Sequence, residues 1–392
     1  MLNLLLLLLL CLSSFLSSLP QVQSATLPSD IYVLKALKAS IKPNSISPWS
    51  CLGSWNFSID PCSLPRRTSF ICGVSCSPDS TRVTSLVLDP VRYSGTLTPL
   101  ISQLTQLTQL DLSENSFYGP IPSSLSSLAK LETLSLRSNF FTGTIPSSLT
   151  KLASLVSLDF SNNALTGLLP VTLSSLSGLT TMDLSFNKLT GSLPKLPPNL
   201  VNLALKANSL SGSLSPSSFQ GLTQLEVVEL GANRFTGAVQ AWFFLIPSLQ
   251  QFDLSNNSFT SIEIQKLGNT KNSNLVAVDL GFNRIEGYLP VNLATFPQMA
   301  SLTLRYNRFR GPIPWEYYKK VSNQSLRRLF LDGNFLNGKP PAGFFSTGSG
   351  SSVAGSFGYN CLESCPASSQ LCLPSQKPTS VCRKVYGGRT SP

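Results

Sequence analysis

The sequence predicts an α/β solenoid, a fold in which every repeat adds one short strand to a continuous parallel sheet. Three observations support this prediction. A nine-residue pattern ending in asparagine recurs through the middle of the 392-residue chain, a Gly/Pro turn motif follows most copies, and eight of the nine cysteines flank the repeats. Because repeats pack on their neighbours, a chain of this length needs no separate second core.

The pattern is clearest at residues 107–115, which read Leu-Thr-Gln-Leu-Asp-Leu-Ser-Glu-Asn. Its leucines alternate with polar residues, as expected for a strand with one buried face. The final asparagine lies where the strand bends away, and its amide can bond backbone groups that would otherwise be buried unpaired. Ten copies end in an asparagine of this predicted structural ladder: Asn115, Asn139, Asn163, Asn187, Asn208, Asn233, Asn257, Asn283, Asn307 and Asn334. Residues 83–91 form a degenerate copy, so we expect about eleven repeats over residues 83–350.

A Gly-x-Ile/Leu-Pro turn follows six of the asparagines, for example at residues 119–122 and 311–314. The combined pattern resembles the plant-type extracellular leucine-rich repeat. That class occurs in receptor-kinase ectodomains, receptor-like proteins and polygalacturonase-inhibiting proteins. The resemblance covers roughly residues 25–385 and implies a right-handed superhelix with disulfide-stapled caps at both ends.

The two ends resemble the caps of this class. Residues 25–82 contain a predicted helix, capped by Ser29 or Asp30, and the N-terminal cysteines; residues 351–392 form a C-terminal cap and polar tail. Without Cys11 the chain has eight cysteines: Cys51, Cys62, Cys72, Cys76, Cys361, Cys365, Cys372 and Cys382. We expect four disulfides confined to the two caps, although four cysteines allow three pairings at each end. The competing interpretation, a metal-binding cysteine cluster, requires tighter paired spacing, and we expect no metal.

Residues 1–24 read as a signal peptide, with a Leu/Ser apolar run at residues 4–19 and small residues before Ala25. The run is shorter than a typical membrane span and lacks a basic flank, which disfavours the alternative of an uncleaved anchor. We therefore expect a secreted protein of the extracellular space or cell wall that does not span the membrane. Signalling would then require a membrane partner.

The chain contains no histidine, which excludes histidine-based triads, acid/base pairs and zinc sites. It also lacks a Gly-rich phosphate loop, and nucleic acid is disfavoured as a partner by export despite a formal net charge of +11. We expect a protein that is not an enzyme and has no cofactor.

Basic residues concentrate in the second half, where residues from 201 onward carry 17 Lys+Arg against 9 Asp+Glu. Several of them occupy the tenth position of the repeat, which we assign to the concave surface. The predicted ligand-binding residues are Arg234, Phe282, Arg284, Arg305, Tyr306, Arg308, Arg328 and Phe330. This set suits a peptide carboxylate, a sulfated peptide or an acidic glycan; the alternative is a merely soluble basic surface. The acidic residues of the fifth position, such as Asp253 and Asp279, are expected to solvate strand edges.

Three Asn-x-Ser sequons predict N-glycosylation at Asn56, Asn256 and Asn323. On the opposite flank, Trp242, Phe244 and Leu245 replace polar residues of other repeats. They either pack between irregular turns or form an exposed apolar patch.

The leading functional hypothesis is a secreted, non-catalytic recognition protein that binds a peptide or protein and acts with a receptor-kinase ectodomain in signalling or defence. The alternatives are an inhibitor of a microbial cell-wall hydrolase, similar to polygalacturonase-inhibiting proteins, and a wall-associated protein that binds an acidic polysaccharide. For the last, we expect retention on demethylated pectin through Arg284, Arg305, Arg308 and Arg328.

Overall fold

The computed structural model of the protein describes residues 25–63, 72–264, 270, 272–345 and 353–387. The signal peptide predicted for residues 1–24 lies outside the described residues. Repeats are numbered here by their ladder asparagine, from repeat 1 at Asn115 to repeat 10 at Asn334.

The main feature is a 13-stranded inner sheet in which each repeat contributes one strand of three to five residues. Its first pair is antiparallel, and every later pair is parallel and in register. The eleven repeat strands expected from the sequence are present, with one cap strand added at each end. In order, the strands are β1 (Val74–Cys76), β2 (Val83–Val87), β4 (Gln109–Asp111), β6 (Thr133–Ser135), β8 (Ser157–Asp159), β10 (Thr181–Asp183), β12 (Asn202–Ala204), β14 (Val227–Glu229), β16 (Gln251–Asp253), β18 (Ala277–Asp279), β20 (Ser301–Thr303), β22 (Arg328–Phe330) and β24 (Ala354–Ser356).

A second set of strands begins just after each asparagine and forms two lateral sheets. The eight-stranded sheet contains β3 (Ser94–Thr96), β5 (Ser116–Pro120), β7 (Phe140–Thr144), β9 (Ala164–Leu168), β11 (Lys188–Gly191), β13 (Ser209–Gly212), β15 (Arg234–Gln240) and β17 (Ser258–Glu263). The four-stranded sheet contains β19 (Glu286–Tyr288), β21 (Arg308–Gly311), β23 (Phe335–Gly338) and β25 (Cys361–Leu362). The glycine of the Gly-x-Ile/Leu-Pro motif lies in its lateral strand and adopts positive φ, as at Gly119 (84°).

Short helical segments complete the turns on the side opposite the inner sheet. The α-helices are α1 (Pro28–Ser40), α2 (Cys51–Ser54), α3 (Pro216–Phe219), α4 (Ala241–Phe244), α5 (Trp315–Ser322) and α6 (Thr379–Tyr386). The 3₁₀ segments are Pro43–Ser45, Pro99–Gln103, Ser123–Ser127, Ser147–Lys151, Leu173–Ser175, Val291–Thr295, Ala342–Phe345 and Gln370–Cys372.

The core is one continuous column of leucine and phenylalanine side chains between these layers. The fourth and sixth residues of each repeat are buried, as shown by Leu110 and Leu112. Buried aromatic residues of the lateral strands stack from turn to turn, for example Phe117 on Phe141 with ring centroids 6.2 Å apart. Each turn therefore depends on both neighbours for burial, as expected for a solenoid.

The ladder asparagines form the hydrogen bonds expected of them. Asn139 is representative: its Nδ2 donates to the carbonyls of Leu136 and Arg137 in its own turn and of Leu112 in the preceding turn, at 2.9–3.2 Å. Its Oδ1 accepts the N–H of Phe117 at 2.9 Å. Asn360 forms the same bonds inside the C-terminal cap, so the ladder extends one turn beyond the ten positions identified from the sequence.

The four disulfides lie within the two caps. They join Cys51 to Cys72, Cys62 to Cys76, Cys361 to Cys382 and Cys365 to Cys372. The first ties α2 to Cys72, just before β1, and the second ties Cys62, after α2, to the last residue of β1. The third fastens α6 to the last lateral strand. The exposed ends of the core are thus covered by cross-linked segments.

One local expectation needs correction, and one open alternative is decided. Helix α1 begins at Pro28, and neither Ser29 nor Asp30 caps it; Asp30 is fully buried and binds Arg82 at 3.1 Å and the N–H of Val83 at 2.9 Å. Phe244 of the irregular flank is also fully buried, whereas Trp242 packs beside Phe219 with ring centroids 5.6 Å apart. The bulky flank residues therefore mainly fill the core between irregular turns.

Candidate ligand-binding site

The exposed face of the inner sheet carries an open cavity of about 470 Å³ across repeats 6–10. Alternate strand residues of each repeat line it, because the residues between them point into the core. We call this depression the concave cavity; it is bounded by Glu229 of repeat 6 at one end and by Arg328 and Phe330 of repeat 10 at the other. Its volume falls within the range of small-ligand and peptide-side-chain pockets.

Acidic side chains of the fifth repeat position line the first half of the cavity. Asp253 and Asp279 each accept the backbone N–H two residues further on, from Ser255 and Gly281, at 2.8 Å. These bonds fix the carboxylates at the strand ends and support the expected strand-edge role. Burial raises the pKa of Asp279, and the neighbouring carboxylate of Asp253 adds to that effect.

Lys206 partly balances this acidic half. Its Nζ lies 3.1 Å from Asp253 Oδ2, and this hydrogen bond raises the pKa of the lysine. Glu229 lines the cavity on the neighbouring turn. The first half of the cavity therefore remains net acidic.

Arg305 dominates the second half and is held in place from beneath. Its Nε and Nη2 donate to one oxygen, Oδ2 of Asp332, at 3.2 and 2.8 Å. Asp332 is only 1% exposed, so the pair positions the guanidinium rigidly at the base of the cavity. Nη1 of Arg305 makes no hydrogen bond to any described residue and remains free to donate to a ligand.

Three aromatic rings surround the same guanidinium. Its carbon lies 5.1 Å from the ring centre of Phe330, 5.7 Å from Tyr306 and 6.0 Å from Phe282. Phe282 and Tyr306 stack with centroids 4.7 Å apart and planes 7° apart, yet they remain 44% and 39% exposed. Both occupy the eighth repeat position, where a positive φ turns the side chain onto the rim of the concave face.

The structure thus brings together five of the eight residues predicted for ligand binding: Phe282, Arg305, Tyr306, Arg328 and Phe330. The other three, Arg234, Arg284 and Arg308, do not line the cavity, and their assignment to the concave surface is wrong. They follow the ladder asparagine, where the chain has already left the inner strand for the lateral sheet. Arg308 there pairs with Glu286 at 2.9 Å.

The four arginines expected to hold pectin are likewise divided. Arg305 and Arg308 already bind carboxylates of the protein itself. Arg284 and Arg328 have no ion-pair partner within the described ranges, but they lie on different faces. These four side chains therefore do not form one polyanion site.

Sequence reasoning missed Asp332 and underrated Glu229. Asp332 is an acidic residue at the seventh position, where the other repeats mostly have serine, glycine or a cation. This departure from the repeat pattern is the sequence signal for the ion pair, because Asp332 lies beside Arg305 on the neighbouring turn. Glu229 occupies the fifth repeat position, where five other repeats carry aspartate.

Among the described residues, one group of potential metal ligands converges: Cys51, Cys72 and Asp89. The two sulfurs are joined to each other in a disulfide and cannot act as thiolates. Asp89 instead accepts the N–H of Cys51 and the hydroxyl of Tyr93. The cluster is a structural joint of the N-terminal cap.

Comparisons with known proteins agree with this architecture. Residues 129–189 and 198–259 match one leucine-rich repeat family model, and residues 106–128 match a second. Receptor-like protein 7 of Arabidopsis thaliana is 37% identical over 152 residues, which cover 37% of this chain and 14% of that protein. The crystal structure of PEPR1-AtPEP1 aligns with a TM-score of 0.69 and 31% identity, covering 81% of this chain and 46% of that one.

The ectodomain of the Arabidopsis receptor kinase HAESA, in complex with an N-terminally extended IDA peptide hormone, aligns with a TM-score of 0.64 and 28% identity. It covers 86% of this chain and 58% of that one. The chain therefore spans a small part of the curated relative and about half of these ectodomains. Within the described ranges, none of the helices has the length and apolar character to cross a membrane.

The fold and these matches define the class: the chain is built from leucine-rich repeats arranged as in plant receptor-kinase ectodomains. It is homologous to plant receptor-like proteins and to the ectodomains of plant receptor kinases.

Proposed function

We propose that this chain is a non-catalytic extracellular recognition protein that binds an extended peptide segment in the concave cavity and acts with a membrane receptor kinase in signalling or defence. The observation that carries the proposal is the guanidinium of Arg305, fixed by a buried carboxylate and surrounded by three rings, at the base of an open cavity. A preorganised arginine of this kind binds a carboxylate with little loss of side-chain entropy. The similar HAESA ectodomain is in complex with a peptide hormone, which supports a peptide as the ligand class.

The cavity has an acidic half and a basic half, and this charge separation constrains the charges that a ligand carries. Glu229, Asp253 and Asp279 lie on one side, and Arg305 and Arg328 lie on the other. Asp279 and Arg328 are two strands apart, or about 10 Å across the sheet. An extended peptide crossing the strands covers this distance with about three residues. The best ligand therefore carries an acidic group and a basic side chain about three residues apart, with an apolar residue between them for the aromatic rim.

A selection experiment tests this proposal with the full chain. A display library of random peptides with free carboxyl termini is selected on the wild-type protein and on the Arg305→Ala/Arg328→Ala double variant. We expect the wild type alone to enrich peptides with the acidic–apolar–basic order. Equal enrichment on both proteins, or no enrichment on either, contradicts peptide recognition in this cavity.

A further inference from the structure

Asn256 stands at the rim of the concave cavity and belongs to an Asn-Asn-Ser sequon at residues 256–258. Its side chain is exposed, and its amide makes no hydrogen bond to any residue that the structure describes. By contrast, the side-chain oxygen of Asn56, in another sequon, accepts the N–H and hydroxyl of Ser58 at 3.1 and 2.8 Å. The Asn256 amide is therefore presented outward and unengaged.

Phe282 occupies the same repeat position one turn later. Both residues have positive φ, 52° for Asn256 and 56° for Phe282, so their side chains leave the same rim in the same way. The backbone also joins these turns, since the N–H of Asn256 donates to the carbonyl of Gly281 at 3.0 Å. Adjacent turns are about 4.8 Å apart.

One face of the Phe282 ring is already covered by Tyr306, with centroids 4.7 Å apart. Tyr306 belongs to the following turn, so the uncovered face of Phe282 points toward the preceding turn, which carries Asn256. Phe282 is 44% exposed, so apolar surface of its ring remains open to a packing partner.

We propose that Asn256 carries an N-linked glycan whose first N-acetylglucosamine packs on the free face of Phe282 and narrows the concave cavity at repeat 7. In the attachment step, Nδ2 of Asn256 forms a bond to C1 of the sugar of a lipid-linked diphosphate donor. The lipid diphosphate leaves and one amide proton is lost. The four disulfides of the caps indicate the oxidising secretory compartment in which this transfer occurs.

The consequence for binding rests on the proposed function, whereas the glycan and its packing do not. A sugar over Phe282 covers the cavity beside Asp253 and leaves the part between Asp279 and Arg328 open. The glycan would then set the boundary at which a bound peptide must leave the concave face.

The test uses the full chain secreted from a eukaryotic host and trimmed with an endoglycosidase that leaves one sugar on each modified asparagine. Mass spectrometry of the peptide containing Asn256 should show one retained N-acetylglucosamine. An unmodified Asn256 overturns the proposal whatever the peptide selection shows.

Packing is then measured as the difference in Tm between the trimmed protein and the trimmed Asn256→Gln variant. We expect the single sugar to raise Tm by about 1–3 °C and the Phe282→Ala substitution to abolish that difference. Phe186→Ala is the matched control, because Phe186 is an exposed phenylalanine (56%, against 44% for Phe282) at the same repeat position, with φ 55°, in repeat 4. If the sugar's effect on Tm is the same in both alanine variants, the packing on Phe282 is wrong.

Discussion

At the scale of single residues, the ladder asparagines do more than any leucine to define the turn. Asn233 is 9% exposed and forms hydrogen bonds with four backbone groups in two successive turns. Its Nδ2 donates to the carbonyls of Leu205, Leu230 and Gly231, and its Oδ1 accepts the N–H of Leu210. Water cannot replace these hydrogen bonds, because the backbone groups that form them are buried.

We therefore expect Asn233→Ala to lower the free energy of unfolding by about 2–4 kcal/mol, since it leaves buried backbone groups without partners. Denaturant unfolding followed by circular dichroism measures the change. Asn199→Ala is the control, because Asn199 is exposed and makes a single bond, to the carbonyl of Ser177. The interpretation is wrong if the two substitutions cost the same.

Asp279 gives a pH dependence of known sign. Burial raises the pKa of its carboxyl in the folded protein above the unfolded value. Such a group favours folding while it is protonated, and this contribution is lost as pH rises from the unfolded toward the folded pKa. Asp279→Asn keeps an oxygen to accept the N–H of Gly281 but removes the charge.

The difference in Tm between Asp279→Asn and the wild type should accordingly be close to zero at strongly acidic pH and positive at neutral pH. Differential scanning calorimetry across this range measures it. A neutral-pH Tm lower than that of the wild type would show that the charge stabilises the fold, contrary to the burial argument.

At the scale of elements, the C-terminal cap docks as a twelfth turn of the solenoid. Strand β24 pairs in parallel with β22, placing Gly355 against Leu329. A Cβ at Gly355 would lie 1.9 Å from the carbonyl oxygen of Leu329, which is backbone and cannot move without breaking the pairing. Glycine is therefore required at this docking position.

Gly355→Ala should undock the cap while leaving the repeats folded. Limited proteolysis should then cleave within residues 353–387 several times faster than in the wild type, with the repeat region remaining intact. Ala354→Ser, an exposed change in the same strand, should leave the cleavage rate unchanged. Equal rates for Gly355→Ala and the wild type would contradict the proposed docking.

The regular part of the fold could be predicted from the sequence, because the same residues are buried and the same hydrogen bonds form in every repeat. The inner strands and the ten ladder positions follow from the leucine spacing alone. The eleventh ladder asparagine, Asn360, escaped because its turn has Ala354, Gly355 and Ser356 where the leucine pattern is expected. The hydrogen bonds of Asn360 hold this turn although the leucine pattern is absent from it.

The candidate site was only half readable. Sequence position identified Arg305, Tyr306 and Phe330 as neighbours across adjacent turns. Sequence position misplaced Arg284, because the chain bends at the ladder asparagine and carries the tenth residue toward the lateral side. Spacing along the chain does not show that change of face. The role of Asp332 depends on cross-strand contact and burial, which no local pattern reveals.

At the scale of the whole molecule, the excess of positive charge lies apart from the concave cavity. The chain has a formal net charge of +11, yet the concave cavity is lined by three acidic and two basic side chains. The surplus positive charge lies outside the cavity and acts over a Debye length of about 8 Å at physiological salt. It can speed the approach of an acidic partner, whereas the cavity selects the ligand.

The most direct test compares charge reversal at two exposed arginines, using a peptide selected on the wild-type protein. Arg328 lines the cavity and Arg284 lies on the lateral side, and neither has an ion-pair partner among the described residues. Arg328→Glu and Arg284→Glu change the net charge equally, so a diffuse field affects both alike. Isothermal titration calorimetry should show Kd rising about tenfold or more for Arg328→Glu and less than about twofold for Arg284→Glu. Equal changes in Kd for the two variants would contradict a ligand site in the concave cavity.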